Sequence, residues 1–212
     1  MIEGLDGAGK RTLTERLLAA LHDSGARTAT LAFPRYDADV HAELVHDALH
    51  GRLGDLADSV YAMAVLFALD RRAAADGLRT ALADHDVVLV DRYVASNAAF
   101  GAARLHQDAG GAFVRWVHDL EVARFELPLP DRHLLLEVPH TVAARRAVHR
   151  ERTEPGRERD RYESDAGLQE RTAAVYRGLA AAGWLAPWTV LDGAGAVDPD
   201  ALAADLLGDL PR

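Results

Sequence analysis

The sequence predicts an α/β fold built on a parallel sheet with helices on both faces. Three observations carry that prediction. Short, almost continuous apolar runs alternate with longer stretches of helical spacing, the pattern of strands buried on both faces and joined by helical crossovers. A glycine-rich loop, Gly4-Leu5-Asp6-Gly7-Ala8-Gly9-Lys10, stands between the first such run and the first helix. A later apolar run ends in a charged pair, Asp91-Arg92.

Only Met1-Ile2-Glu3 precede the glycine loop, whereas a buried central strand usually has about 5–6 residues. Either the true strand starts further upstream or this one is a stub. Lys10–Ser24 reads as a helix, with Leu13, Leu17, Leu18 and Leu21 spaced by three and four and Gly25 as its stop. Thr28–Ala32 is a strand. Ser59–Ala83 is one long alanine-rich helix, followed by the strand Val87–Asp91 and a helix over Gly111–Phe125. Leu134–Val138 is the next strand. Arg145–Arg161 is arginine-rich, is broken by Pro155-Gly156 and has no apolar period, so it reads as a solvated surface loop. Asp165–Ala182 is helical, Trp188–Leu191 is a weaker strand, and a helix over Pro199–Leu207 closes the chain. No repeat or linker interrupts this order, so residues 1–212 are expected to form one domain.

Length and composition set bounds. A chain of 212 residues buries a sizeable core and leaves room for an appended lid. A net charge of −9 disfavours duplex nucleic acid or an anionic membrane as partner, since both need a basic surface. Cysteine is absent, so there are no disulfides and no thiolate chemistry. No apolar run approaches the ~20 residues of a membrane span, and the N-terminus lacks a basic-then-apolar signal. A cytoplasmic enzyme or ATPase is expected. Lys10 is the sole lysine among 24 Lys and Arg residues, and 41 residues are alanine. Both point to codon bias, and a lysine surviving that bias marks a place where arginine was not acceptable.

Gly4-x-x-x-x-Gly9-Lys10 opening a helix after a strand is the Walker A context. Its glycines let backbone N–H groups turn inward around phosphate oxygens, and the helix N-terminus adds partial positive charge. Lys10 is a slim cation able to reach the outer phosphates, where a planar guanidinium fits poorly. The residue after this lysine is usually Ser or Thr, whose hydroxyl holds Mg²⁺. Here it is Arg11, with Thr12 next. Magnesium is then left to water, to the phosphates or to a carboxylate such as Asp91.

In open α/β sheets, ligands bind beyond the carboxyl ends of strands. Asp91 stands where it could hold a metal ion or its water, and Arg92 could fork onto a phosphate. The plain alternative is a strand-end ion pair. Phe33-Pro34-Arg35-Tyr36 follows the second strand and could present donors to an anion, or be an ordinary loop. Phe67 and Arg71 share a helix face and could stack on and hydrogen-bond a nucleobase. Without other signals, Phe67 in the core and Arg71 in solvent would be the default. His46 and His50 share helical spacing, but no carboxylate pattern accompanies them, so no zinc site is expected.

Together these strings resemble bacterial thymidylate kinases, above all the actinobacterial type. The matching segments are EGLDGAGKRTL, TLAFPRY, SVYAMAVLFALDRR, VVLVDRYVASNAAF and the arginine-rich stretch ending in RDRYE, in family order from residue 3 to about residue 176. The resemblance implies a P-loop nucleotide kinase fold with a five-stranded parallel sheet and a short lid over residues 145–161. It implies transfer of the γ-phosphoryl group of ATP to dTMP, with Mg²⁺, by a homodimer. Gly4, Gly7, Ala8, Gly9, Lys10, Arg11 and Thr12 would then hold ATP. Phe67 would stack on thymine, Arg71 would bond its O4, and Ser96 and Asn97 would lie beside the base, with Asn97 near N3. Phe33, Arg35, Tyr36 and Arg92 would hold the dTMP phosphate side. Phe100 stands near the sugar, where close relatives tend to have tyrosine, which leaves the deoxyribose preference less defined. Asp160, Tyr162 and Glu163 match the end-of-lid motif near the sugar and metal. Asp6, Asp91 and Glu163 are the implied metal ligands, and Lys10, Asp6, Arg92 and Arg150 the implied catalytic set. Gly7 replaces the arginine that some thymidylate kinases carry after the loop aspartate, and an arginine-rich lid compensates. Outside this resemblance stand another nucleotide kinase and a P-loop ATPase switch, and the switch would want a hydroxyl residue at position 11.

Overall fold

Five apolar segments pair in parallel into one sheet in the computed structural model, which describes residues 1–36, 38–153, 161–195 and 197–209, without the side chains of Arg150, Arg152 and Glu163. The strands are β1 (Ile2–Glu3), β2 (Thr28–Ala32), β3 (Val87–Asp91), β4 (His133–Glu137) and β5 (Trp188–Asp192), in the order β2-β3-β1-β4-β5. β1 covers two residues here and pairs Ile2 with Asp91 on one side and with Leu134 on the other. Its position between β3 and β4 puts the glycine loop at the middle of the sheet's carboxyl edge, beside the end of β3.

Helices cover both faces. α1 (Lys10–Asp23) buries Leu13, Leu17 and Leu21 against β1, β4 and the C-terminal α10 (Pro199–Gly208). On the other face, α5 (Val94–Arg104) and α9 (Ala166–Ala181) bury Val94, Ala98, Ala102, Val175, Tyr176 and Leu179. Helix starts follow local chemistry: Ser59, Asp165 and Asp198 each accept a backbone N–H from the first turn. α2 (Val40–Leu49), capped by Asp39, packs on α3 (Val60–Ala73) around Val45, Leu49 and Met63.

Three expectations need correction. The stretch expected as one helix over Ser59–Ala83 is two, α3 and α4 (Ala75–Asp84), broken at Ala74. No glycine or proline marks this break, and the buried Ala74 and Ala75 set it through packing. The segment Gly111–Phe125 begins as α6 (Ala112–Val117) but continues as a π-helical stretch, His118–Arg124, which turns Glu121 inward. The arginine-rich stretch is not simply a solvated loop. Its first part belongs to α7 (His140–Thr153), whose Ala143 and Ala147 are buried. Alanines among arginines give too weak an apolar period to be read from sequence. Residues 154–160, the rest of the expected lid, lie outside the described residues. α8 (Arg161–Ser164) follows them.

Candidate active site

The glycine loop is shaped by what presses on it. Gly7 has φ +80°, and a Cβ there would stand 2.2 Å from the carbonyl oxygen of Ala143 in α7. No side chain fits at position 7, which explains why the loop carries glycine and not arginine. Gly9, with φ +103°, caps α1 in a left-handed conformation. Lys10 folds back over its own loop, and Nζ donates to the carbonyls of Gly4 at 3.2 Å and Leu5 at 3.0 Å. Burial, and then the neighbouring Arg92 cation, push its pKa down to about 8. Arg146 of α7 donates to the carbonyl of Ala8 at 3.1 Å, so this arginine, which the sequence did not single out, ties the helix to the loop. Arg11 points to solvent and pairs with Glu15 at 3.0 Å. Arg11, Thr12, Lys10, Gly7 and Gly9 all border one cleft of about 2050 Å³.

The end of β3 forms the opposite wall. Arg92 adopts φ +63°, and its backbone N–H donates to the carbonyl of Ile2 at 3.0 Å. That turn aims its guanidinium into the cleft, where Nη2 pairs with Asp6 and Nη1 donates to Ser96 Oγ at 3.2 Å. Burial works against the Arg92 charge, but Asp6 beside it more than offsets this and holds the pKa above the usual arginine value. Beneath the pair lies Glu3, fully buried. It accepts from the N–H of Tyr93 at 2.9 Å, from Ser96 Oγ at 2.6 Å and from the phenol of Tyr176 at 2.9 Å. Burial, and then Glu3, push the Tyr176 phenol well above its ordinary pKa. The Ser96 hydroxyl, expected beside the base, is therefore engaged with Glu3, Tyr176 and Arg92.

A magnesium ion fits the donor set here. Asp91 Oδ1 is buried without a hydrogen-bond partner among the described residues, and Asp91 and Asp6 both border the cleft. No group of three or more potential protein ligands stands together among the described residues. Mg²⁺ usually binds nucleotides through one or two carboxylates, water and the phosphates.

The acceptor side is more tightly wired than the sequence indicated. Arg71 is not in solvent: it is 3% exposed, and its Nε and Nη2 grip the two oxygens of Glu121 at 2.5 and 2.9 Å. Asn97 Nδ2 donates to Glu121 at 2.7 Å and to the carbonyl of Ala64 at 3.0 Å. Phe67 is half-buried on the cleft wall beside them. Arg35 is held by carboxylates, with Nε on Asp70 at 2.8 Å and Nη2 on Asp39 at 2.9 Å. Phe33 is buried against Tyr93 with only an edge on the cleft, while Tyr36 is exposed and meets His46 edge-on. Phe100 lies between the Arg92 guanidinium, 5.3 Å away, and the stacked ring of Tyr162. Arg104 donates to the Tyr162 phenol and to the carbonyl of Ala57, anchoring α8. Asp160 and the side chains of Arg150 and Glu163 lie outside the described residues. Of the residues sequence reasoning missed, Asp70 adjoins Arg71 in the string LDRR, but Glu3, Asp39, Arg104, Glu121 and Arg146 carry no local signal.

Comparison with known proteins agrees with this geometry. The thymidylate kinase family profile matches residues 2–186. A thymidylate kinase of Mycobacterium tuberculosis is 55% identical over 205 residues, covering 97% of this chain and 95% of the relative. One from Leifsonia xyli subsp. xyli is 37% identical over 186 residues, covering 85% of this chain and 80% of the relative. One from Xanthomonas oryzae pv. oryzae is 35% identical, covering 84% of this chain and 70% of the relative.

Proposed function

Because the chain belongs to the thymidylate kinase family, it is a phosphotransferase that phosphorylates dTMP at the expense of ATP, and we propose how its own side chains perform the transfer. The observation that carries the reading is one cleft that brings a glycine-cradled lysine, a half-buried Asp6–Arg92 pair and a base-sized wall of Phe67, Arg71 and Asn97 together. The glycine loop, from Gly4 through Ala8 to Thr12, holds the ATP phosphates by its N–H groups, and Lys10 exchanges its loop carbonyls for phosphate oxygens. Phe67 stacks on thymine, Arg71 donates to O4, and Asn97 meets N3. Arg35, Tyr36 and Arg92, with Phe33 shaping the turn, hold the dTMP phosphate. Phe100 and Tyr162 enclose the sugar, and Asp6 orients Arg92.

Phosphoryl transfer of this kind is mostly positioning and charge cancellation. The attacking oxygen is a phosphate oxygen already ionised at neutral pH, so no strong general base is needed. Lys10 and Arg92 neutralise the charge spread over the transferring group, with Arg150 and its neighbours closing from the lid. When bound, Mg²⁺ would supply further positive charge to the phosphates, and Asp91, Asp6 and Glu163 are the carboxylates suited to hold it. The reading includes a single domain over residues 1–212 with a lid at 145–161 that closes to exclude water. It also includes a homodimer, supported by the resemblance and by apolar side chains left on the surface, such as Val40 and Tyr61. A cytoplasmic site fits the fact that no described helix is long and apolar enough to cross a membrane.

A steady-state assay with dTMP, dUMP, dCMP and thymidine as acceptors tests the reading. The highest kcat/KM is expected with dTMP. Preference for another acceptor, or ATP hydrolysis that ignores dTMP, overturns it.

A further inference from the structure

Glu121 touches two of the base-facing side chains and is assigned no part in the reaction so far. It is fully buried and stands in the π-helical stretch His118–Arg124, a distortion that often marks a functional position. Its Oε2 accepts from Arg71 Nε at 2.5 Å, and its Oε1 accepts from Arg71 Nη2 at 2.9 Å and Asn97 Nδ2 at 2.7 Å. The same Asn97 atom also reaches the carbonyl oxygen of Ala64 at 3.0 Å. A carbonyl and a carboxylate bound by a guanidinium both only accept hydrogen bonds. The Asn97 atom facing them must therefore be the NH₂ group, and the Asn97 carbonyl oxygen is the atom left for other partners.

We propose that Glu121 is a specificity-determining positioning residue, which fixes the Asn97 amide with its acceptor toward the base and holds Arg71 as a donor beside it. The proposal rests on the assignment of Asn97 and Arg71 to the base. Thymine and uracil present a donor at N3 and an acceptor at O4. Cytosine presents an acceptor at N3 and a donor at its 4-amino group. An acceptor from Asn97 and a donor from Arg71 complement the first pair and oppose the second at both positions. If Asn97 could turn over, its NH₂ would satisfy cytosine N3. Glu121 blocks that rotation, since the turned amide would set its oxygen against the carboxylate and the Ala64 carbonyl. Glu121 touches no substrate in this scheme and acts only through its two neighbours.

The test is the ratio of kcat/KM values among three acceptors in the wild-type protein and in Glu121→Gln. Glutamine keeps the shape but can offer Asn97 a donor in place of an acceptor, which leaves the Ala64 carbonyl alone to oppose the turned amide. The dTMP-to-dCMP ratio is expected to fall about tenfold, chiefly through KM. The dTMP-to-dUMP ratio is expected to stay, since these bases differ only at the 5-methyl group. A merely structural role would lower all three activities and leave both ratios in place, and that result overturns the proposal. A wild-type protein that does not prefer dTMP over dCMP overturns the base assignment itself, and the proposal with it. Should the glutamine variant not fold, the unaltered protein still decides the matter. The side-chain NH₂ protons of Asn97 are expected to resist hydrogen exchange without nucleotide, and exchange at the rate of an exposed asparagine overturns the proposal.

Discussion

At the scale of single residues, Lys10 ties composition to chemistry. In a chain that uses arginine almost everywhere else, position 10 must pass a side chain through a buried loop to reach the carbonyls of Gly4 and Leu5. A slim ammonium can do this, and it can release the carbonyls when phosphate arrives. Replacing Lys10 with alanine is expected to cost about 10²–10³ in kcat, the loss typical of one transition-state donor, and near-normal turnover in a steady-state assay would contradict this. The depressed pKa of about 8 adds a pH signature. Bound phosphates favour the charged amine, so above pH 8 the free protein must take up a proton to bind nucleotide. The kcat/KM for ATP is expected to fall as pH rises through about 8, approaching tenfold per pH unit. A pH profile flat up to pH 10 would mean that the Lys10 amine keeps its proton throughout that range in the free protein.

At the scale of elements, the contact between α7 and the glycine loop carries most weight. Gly7 lets the backbone of Ala143 approach, and Arg146 bonds the Ala8 carbonyl from the next turn. The glycine loop and α7 are thus packed as one unit. A Gly7→Ala change must either push α7 away or distort the loop, and it also forces a side chain into φ +80°. The expected result is a loss of about 1–3 kcal/mol in chemical denaturation, with KM for ATP raised more than KM for dTMP. Equal effects on the two KM values would mean that position 7 does not act through the ATP side of the cleft. The elements also show what sequence can carry. β2 and β3, with their dense β-branched and leucine runs, and α1, with its leucine stripe, matched their expected bounds closely. The break at Ala74, the π-helical turn and α7 did not, because each is set by packing partners distant in sequence and not by local punctuation.

At the scale of the whole molecule, the same division separates the legible part of the site from the rest. The glycine loop and Asp91-Arg92 are contiguous strings at strand ends, so they could be read. Their supports could not: Tyr176 reaches Glu3 across 173 residues, and Arg71 reaches Glu121 across 50. The opposite edge of the sheet holds a further long-range feature with a measurable consequence. His133 begins β4, fully buried and stacked on Trp188 at 4.1 Å, with neither ring nitrogen partnered among the described residues. Burial, and then the nearby N-terminal ammonium, push its pKa from 6.5 down to about 3. The unfolded chain therefore binds a proton near pH 6.5 that the folded chain refuses until about pH 3. Its contribution to stability is fully present above pH 6.5 and is lost as pH falls from there toward 3, on the order of 5 kcal/mol in all. His133→Leu keeps an apolar body of similar size and removes the titration. Denaturant unfolding at pH 7 and pH 4 should show a smaller acid loss in the variant than in the wild-type protein, by about 2–3 kcal/mol. Equal acid losses in the two proteins would mean that His133 takes up its proton in the folded state as readily as in the unfolded one.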